Sequence, residues 1–223
     1  MEELVELNHL SKTSKMSGVL SWSLMALETC PGAYDQGQLV LSCQCCYATT
    51  GRYIMPNVIK VRKENKLAWQ HDNWASLMIN EIKYKSYFRW FDSGDMYSLK
   101  LAEKIYEIMV NTPDTKHWLP TKMYKFDKFK PIIDKMQSLP NVCVRFSSDS
   151  ITGSYAPGLH RSVILSSVNN VNPNIFVCPA YKNGGKCGDC RACYNKDVDV
   201  VGYKAHGYKA NRLLKNRCDS NGY

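Results

Sequence analysis

YFRWFDSGDMYSLKLAEKIYEIMV, residues 87–110, is one complete repeat of the pattern that sets the fold class. The apolar run 87–91 reads as a strand and stops in the polar turn Asp92-Ser93-Gly94-Asp95. A helix follows whose apolar positions Leu101, Ile105, Ile108 and Met109 share one face, and Pro113 stands just beyond its end.

The same unit repeats on both sides. Upstream, Asn73 stands where a helix cap belongs, before Trp74, Leu77, Met78 and Ile82 at helical spacing. Downstream, a strand at 117–119 exits through Pro120-Thr121-Lys122 into a helix carrying Phe129, Ile132, Ile133 and Met136, which Pro140 stops. Residues 142–146 form the next strand, opening into Ser147-Ser148-Asp149-Ser150, and 163–165 and 175–177 are two more. Residues 17–29 read as a buried first strand leading to Cys30, and Pro31, Gly32 and Asp35 mark the loop after it. Strands alternating with amphipathic helices make parallel β/α units. Five or six of them predict an α/β fold, an incomplete or degraded parallel TIM-like barrel rather than a flat doubly wound sheet. Cysteine-rich loops fall on its C-terminal face, where β/α folds place their sites. Closure would set the first strand beside the last and bring the two loops together.

Eight of the ten cysteines lie in two groups. Cys30, Cys43, Cys45 and Cys46 follow the first strand; Cys178, Cys187, Cys190 and Cys193 lie in CPAYKNGGKCGDCRAC at 178–193. The second loop has little apolar material to order itself, and backbone ordering costs roughly 1–2 kcal/mol per residue, so a covalent or coordinative staple is expected. Overlapping C-x-x-C units suit zinc and iron-sulfur clusters alike. Compact zinc ribbons keep their knuckles close in sequence, whereas here a whole β/α region separates them, which favours clusters set in a barrel. Cys45 is the weakest candidate ligand because neighbouring side chains do not ordinarily converge. Cys143 and Cys218 stand alone. Disulfides in a secreted chain are the alternative, but the acidic N-terminal stretch lacks the character of a signal peptide, and reducing compartments favour metal-binding thiols.

Hydrophobic residues make up 44% and charged residues 22%, as in a globular domain, and no apolar run approaches the roughly 20 residues of a membrane span. The net charge of +9 is compatible with a polyanion or nucleic acid as partner, although the bases are spread along the chain. Residues 1–16 are expected as a loosely held polar arm, 17–207 as the β/α domain, and 208–223 as a basic tail. Asp92, Asp95 and Asp149 stand at strand exits, where carboxylates serve as general bases, and Asp95 is also placed to cap the next helix. Arg145, inside an apolar strand, should face a polar interior or pair with a carboxylate, and Lys122 is basic just after a strand. His206 is a lone candidate ligand.

TCPGA (29–33), CQCCYA (43–48) with GRY (51–53), SGD (93–95) and CGDCRACY (187–194) with the later His206 resemble the phage-borne gene product 88 family. That family is similar to a reduced radical S-adenosylmethionine barrel. The resemblance implies a virus-encoded iron-sulfur protein of the host cytoplasm, with one or two clusters of 4Fe-4S type and redox, radical or electron-transfer chemistry. In it Ser93, Gly94 and Asp95 occupy the place that would meet S-adenosylmethionine. The spacing Cys30, Cys43, Cys46 departs from the C-x-x-x-C-x-x-C of the radical enzymes. The competing reading is a zinc-stabilised nucleic-acid-binding protein.

Overall fold

The computed structural model describes residues 9–220, with side chains described to 216. In chain order the strands are β1 (Ser11–Thr13), β2 (Val19–Trp22), β3 (Tyr34–Asp35), β4 (Gln38–Leu39), β5 (Tyr87–Trp90), β6 (Lys116–Thr121), β7 (Val142–Ser147), β8 (Arg161–Leu165), β9 (Ile175–Val177) and β10 (Val200–Lys204). The helices are α1 (Leu41–Gln44), α2 (Pro56–Ala68), α3 (Trp74–Ile82), α4 (Leu99–Val110), α5 (Lys130–Ser138) and α6 (Tyr208–Ser220). β3 and β4 form a small hairpin, and the other eight strands make one sheet in the order β1-β2-β5-β6-β7-β8-β10-β9. All its pairings are parallel except β1 with β2. The protein is therefore an α/β fold on a mostly parallel sheet.

Strand alternation divides the sheet into two faces. Phe88 and Trp90 of β5, Leu119 of β6, and Val142 and Val144 of β7 point into one core with the apolar faces of α3, α4 and α5. Every position of α4 expected to face inward, Leu101, Ile105, Ile108 and Met109, is fully buried, each such side chain contributing roughly 1.5–3 kcal/mol. Trp22 anchors this core, with its ring 5.0 Å from Trp74 and 6.2 Å from Trp90. The intervening positions, Tyr87, Arg89, Trp118, Cys143 and Arg145, belong to the opposite face. There Trp118 and Tyr87 pack on Tyr194, and Arg145 donates to the carbonyl of Cys193, so the loop after β9 covers that face.

Among the described residues β1 pairs only with β2 and β9 only with β10, so strand pairing leaves the sheet open. The loop after β9 spans the distance instead: Cys187 N donates to Lys15 O at 2.8 Å, just beyond β1. The first and last strands of the expected barrel, β2 and β9, do not pair.

Several expectations change. The strand expected over 17–29 is confined to Val19–Trp22, and the chain then turns, with Leu27 at φ 65°. The arm expected at 1–16 contributes β1 to the sheet edge; residues 1–8 of it lie outside the described residues. The tail expected at 208–223 contains helix α6, which buries Ala210 against Cys45 and Ile151. The β3–β4 hairpin and α1 lie where only a loop was expected, and two larger elements were not anticipated: α2, opened by Pro56 at its first turn, and β10, inserted between β8 and β9. Among the described residues no helix is long and apolar enough to cross a membrane.

Candidate functional site

The first cysteine group forms where the exits of β2, β5, β6 and β7 meet. After β2, Leu24 N donates to Ser93 O and Thr29 Oγ1 to Met25 O, a turn that delivers Cys30. Gly32 follows at a close approach: a Cβ there would lie 2.5 Å from Lys122 Cβ. α1 is docked on the β7 exit by Ser42, whose N donates to Asp149 O at 2.9 Å and whose Oγ donates to Ser148 O at 2.9 Å. This brings Cys43 and Cys46 to Cys30. Burial raises the Cys30 thiol well above its usual range, and the neighbouring Asp95, Cys43 and Cys46 raise it further. Burial also raises Cys43 and Cys46, with Lys122 opposing the rise at both and Lys209 at Cys46. Cys45 turns away, its Sγ 3.5 Å from Leu41 O and its side chain packed with Ile151 and Ala210.

The carboxylates beside this group are tightly held. Asp95 Oδ1 accepts from Thr121 Oγ1 at 2.7 Å and Met96 N at 2.8 Å, and Oδ2 accepts from Lys122 N at 2.8 Å. Burial pushes its pKa up to about 6 against these donors. It caps the turn at Met96 rather than the following helix, whose N-cap is Ser98. Asp149 bridges Lys122 Nζ at 2.9 Å and Lys125 Nζ at 2.8 Å. Burial alone would raise Asp149, but the two lysines outweigh it and hold the carboxyl below its ordinary value. Asp149 and Lys125 border an open recess of ≈ 320 Å³ with Tyr124, Ser154 and Tyr155. Ser93 borders another of ≈ 210 Å³ with Met25, Thr49, Tyr53 and Arg62. Ser93 Oγ accepts from Arg62 Nε at 3.0 Å and donates to Leu24 O at 2.7 Å, and Arg62 also pairs with Asp92 at 2.8 Å. Gly94, at φ +80°, leaves no room for a side chain: a Cβ would lie 2.6 Å from Leu24 Cβ.

The second group lies in the loop after β9. Cys178 N donates to Gly202 O on β10 at 2.8 Å, and Cys190 N donates to Cys187 O at 3.1 Å within a turn. Burial raises Cys187, with the thiols of Cys178 and Cys190 among its neighbours, and pushes Cys193 up to about 11, with Cys178 again nearby. Cys193 Sγ lies 3.1 Å from Tyr203 Oη. Fully buried Arg145 ties the loop down: Nε donates to Cys193 O, and Nη2 donates to Ala192, Asn195 and Val198 O at 2.7–2.8 Å.

The charged neighbours of the first group are Asp95, Asp149, Lys122 and Lys209; those of the second are Lys15, Arg145, Arg191 and Arg89. The structure thus gathers two separate thiol sets. Thiols are the soft donors that zinc and iron-sulfur clusters take. Within each set they are neighbours rather than a closed shell: among the described residues no three Cys, His, Asp or Glu side chains are arranged as a metal site. The nine described cysteines are free thiols. His206 is exposed on the connection from β10 to α6, and the side chain of Cys218 lies outside those described. Arg89, Tyr203 and the bracing of Asp149 by Lys122 and Lys125 escaped the sequence reading. Arg89 carries the same signal as Arg145, a base within an apolar strand.

No curated protein and no solved structure matches the chain. The model of one family, Gene product 88, matches residues 4–196, which include all of both cysteine groups and every strand except β10. The chain belongs to the gene product 88 family, a phage and viral family.

Proposed function

We propose that this protein is a virus-encoded metal-thiolate protein of iron-sulfur type, built on an incomplete parallel β/α barrel and working in the host cytoplasm. Cys178, Cys187, Cys190 and Cys193 would hold one centre. Cys30, Cys43 and Cys46 would hold another, three thiolates leaving one metal position open toward substrate. When bound, such centres supply one-electron chemistry.

The observation that carries this reading is Arg145. Its guanidinium is 0% exposed, every hydrogen bond it makes goes to a carbonyl, and among the described residues no carboxylate pairs with it. A buried, uncompensated charge carries a penalty of several kcal/mol. The groups able to offset it there are the adjacent thiols, once a metal holds them as thiolates.

The recess bordered by Asp149 and Lys125 adjoins the first group through Asp149, a charged neighbour of Cys43, and would admit a small substrate for redox or radical chemistry beside that centre. Asp95, with both oxygens engaged, serves to hold the strand exits together. An S-adenosylmethionine in the other recess would meet Ser93 and Arg62 rather than Asp95.

Anaerobic purification, with iron, sulfide and zinc measured on one sample, tests the reading. Equal iron and sulfide, with a broad visible absorption lost in Cys187→Ala, Cys190→Ala and Cys193→Ala variants, is the expected result. Unchanged metal content in all three variants would sink the ligand assignment. A colourless zinc protein with strongly salt-dependent DNA affinity would move the assignment to a nucleic-acid-binding module.

A further inference from the structure

The sheet face under the cysteine loop carries a second buried cation, which neighbours Cys193. Arg89 on β5 stands in register with Trp118 on β6. Its side chain is 9% exposed, and its guanidinium lies over the Trp118 ring, 4.6 Å from the centroid. Of the buried arginines, Arg62 pairs with Asp92 and Arg145 is saturated by carbonyls. Arg89 has one long hydrogen bond, from Nη2 to Tyr47 Oη at 3.4 Å, no partner for its buried Nε, and no carboxylate within ion-pair distance among the described residues.

The surroundings continue the pattern. Trp118 Nε1 and Tyr194 Oη are both buried without a partner, and their rings meet at 5.9 Å. Trp22 and Trp74 also have unpartnered Nε1 atoms, but these lie in the apolar core. At Arg89 a charge and two further donors share one neighbourhood; among the described residues the one hydrogen-bond acceptor the guanidinium reaches is the Tyr47 hydroxyl, already committed to Asp92 O at 2.7 Å, and the other polar neighbours are the thiols of Cys187 and Cys193 and the Tyr203 hydroxyl. Unsatisfied buried donors around a buried cation are the complement of an oxyanion. Tyr47 is 46% exposed while its hydroxyl reaches inward, so the site borders solvent on that side. The chain places it between the two thiol sets: Tyr47 directly follows Cys46, and Tyr194 directly follows Cys193.

We propose that Arg89, Trp118 and Tyr194 form a binding site for the carboxylate or phosphate group of a small anionic ligand, held between the two cysteine groups. The inference goes beyond the metal-thiolate reading, and because Arg89 also neighbours Cys193 the two are separated by reading anion affinity and metal content independently.

Calorimetric titration of the full chain with inorganic phosphate, acetate and succinate, at constant ionic strength set with chloride, tests it. Metal content is measured on the same samples. One-site saturable binding of phosphate or of a carboxylate is expected, and whichever anion binds identifies the group. Arg89→Met should weaken that binding by about tenfold or more, and Tyr194→Phe by about two- to tenfold. Where Arg89→Met does not fold, Tyr194→Phe and Arg89→Lys decide, weaker binding in both supporting the site and unchanged affinity overturning it. No saturable binding of any of the three anions overturns it. So does loss of metal from Arg89→Met with anion affinity unchanged, which would assign Arg89 to the thiolates instead.

Discussion

His117 sits fully buried on β6, its ring stacked on Trp90 with the centroids 6.3 Å apart. Its Nδ1 accepts from Trp90 Nε1 at 3.3 Å, so the proton of the neutral ring belongs on Nε2, where it reaches Thr112 Oγ1 at 2.9 Å; that hydroxyl donates onward to Ile108 O at 2.7 Å. Burial lowers its pKa from 6.5 to about 3. The unfolded chain therefore takes up a proton as pH falls below 6.5 while the folded chain does not. The stability this residue contributes is complete above pH 6.5 and is lost as pH falls toward 3, about 2 kcal/mol of it between pH 7 and pH 5. Urea unfolding across that range should show His117→Gln less stable at pH 7 but flatter in its pH dependence. Arg145 makes a different case. A lysine in its place has one ammonium for carbonyls that the guanidinium reaches from three nitrogens. Arg145→Lys should cost on the order of 3 kcal/mol and expose residues 192–199 to limited proteolysis before global unfolding. That Arg145 faces inward was legible in the sequence, since a base in an apolar strand must find polar company. That its company is backbone carbonyls was not, because those carbonyls come from a loop distant in the chain.

α3, α4 and α5 announce themselves because each buries one apolar stripe at helical spacing. α2 does not: its buried positions are Arg62, Asn65 and Ala68, two of them polar residues tied to β2 and the β5 exit, so apolar periodicity is weak. β10 was missed for a related reason. It carries Gly202 at its centre, whose missing side chain is what lets Leu165 and Ile175 close on the strand, since a Cβ would lie 2.6 and 2.7 Å from them. Gly94 has the same role at the β5 exit under a harder constraint, a positive φ as well as contact with Leu24. Gly94→Ala should lower stability by about 2–3 kcal/mol in thermal or urea unfolding, and would do so without any cofactor bound. Within the α1 segment, Cys46 faces Cys30 and Cys43 while Cys45 faces Ile151 and Ala210. Cys45→Ala should therefore leave metal content unchanged at a cost of about 1 kcal/mol, whereas Cys46→Ala should reduce metal content. Metal analysis beside a melting curve separates the two.

Over the whole molecule, the C-terminal segment is part of the body rather than an appendage. α6 buries Ala210, and Lys209 Nζ reaches Thr49 Oγ1 at 2.6 Å while standing close enough to Cys46 to oppose the rise in its pKa. A chain ended at residue 206 should melt several degrees lower, equivalent to about 2 kcal/mol, and lose metal from the first cysteine group before the second; differential scanning calorimetry with time-resolved iron release reads both. The sequence by itself determined the parallel α/β class, the three amphipathic helices that line the core, and the division of the cysteines into two groups. Those features are written in periodicity and spacing, which are local. Only the tertiary structure decided that β10 enters between β8 and β9, that the loop after β9 reaches back to Lys15 across one face of the sheet, and that Arg89 and Arg145 lie buried beneath that loop without carboxylates. These depend on strand order and on contacts between distant segments, and no local pattern of residues encodes which strand will find which neighbour.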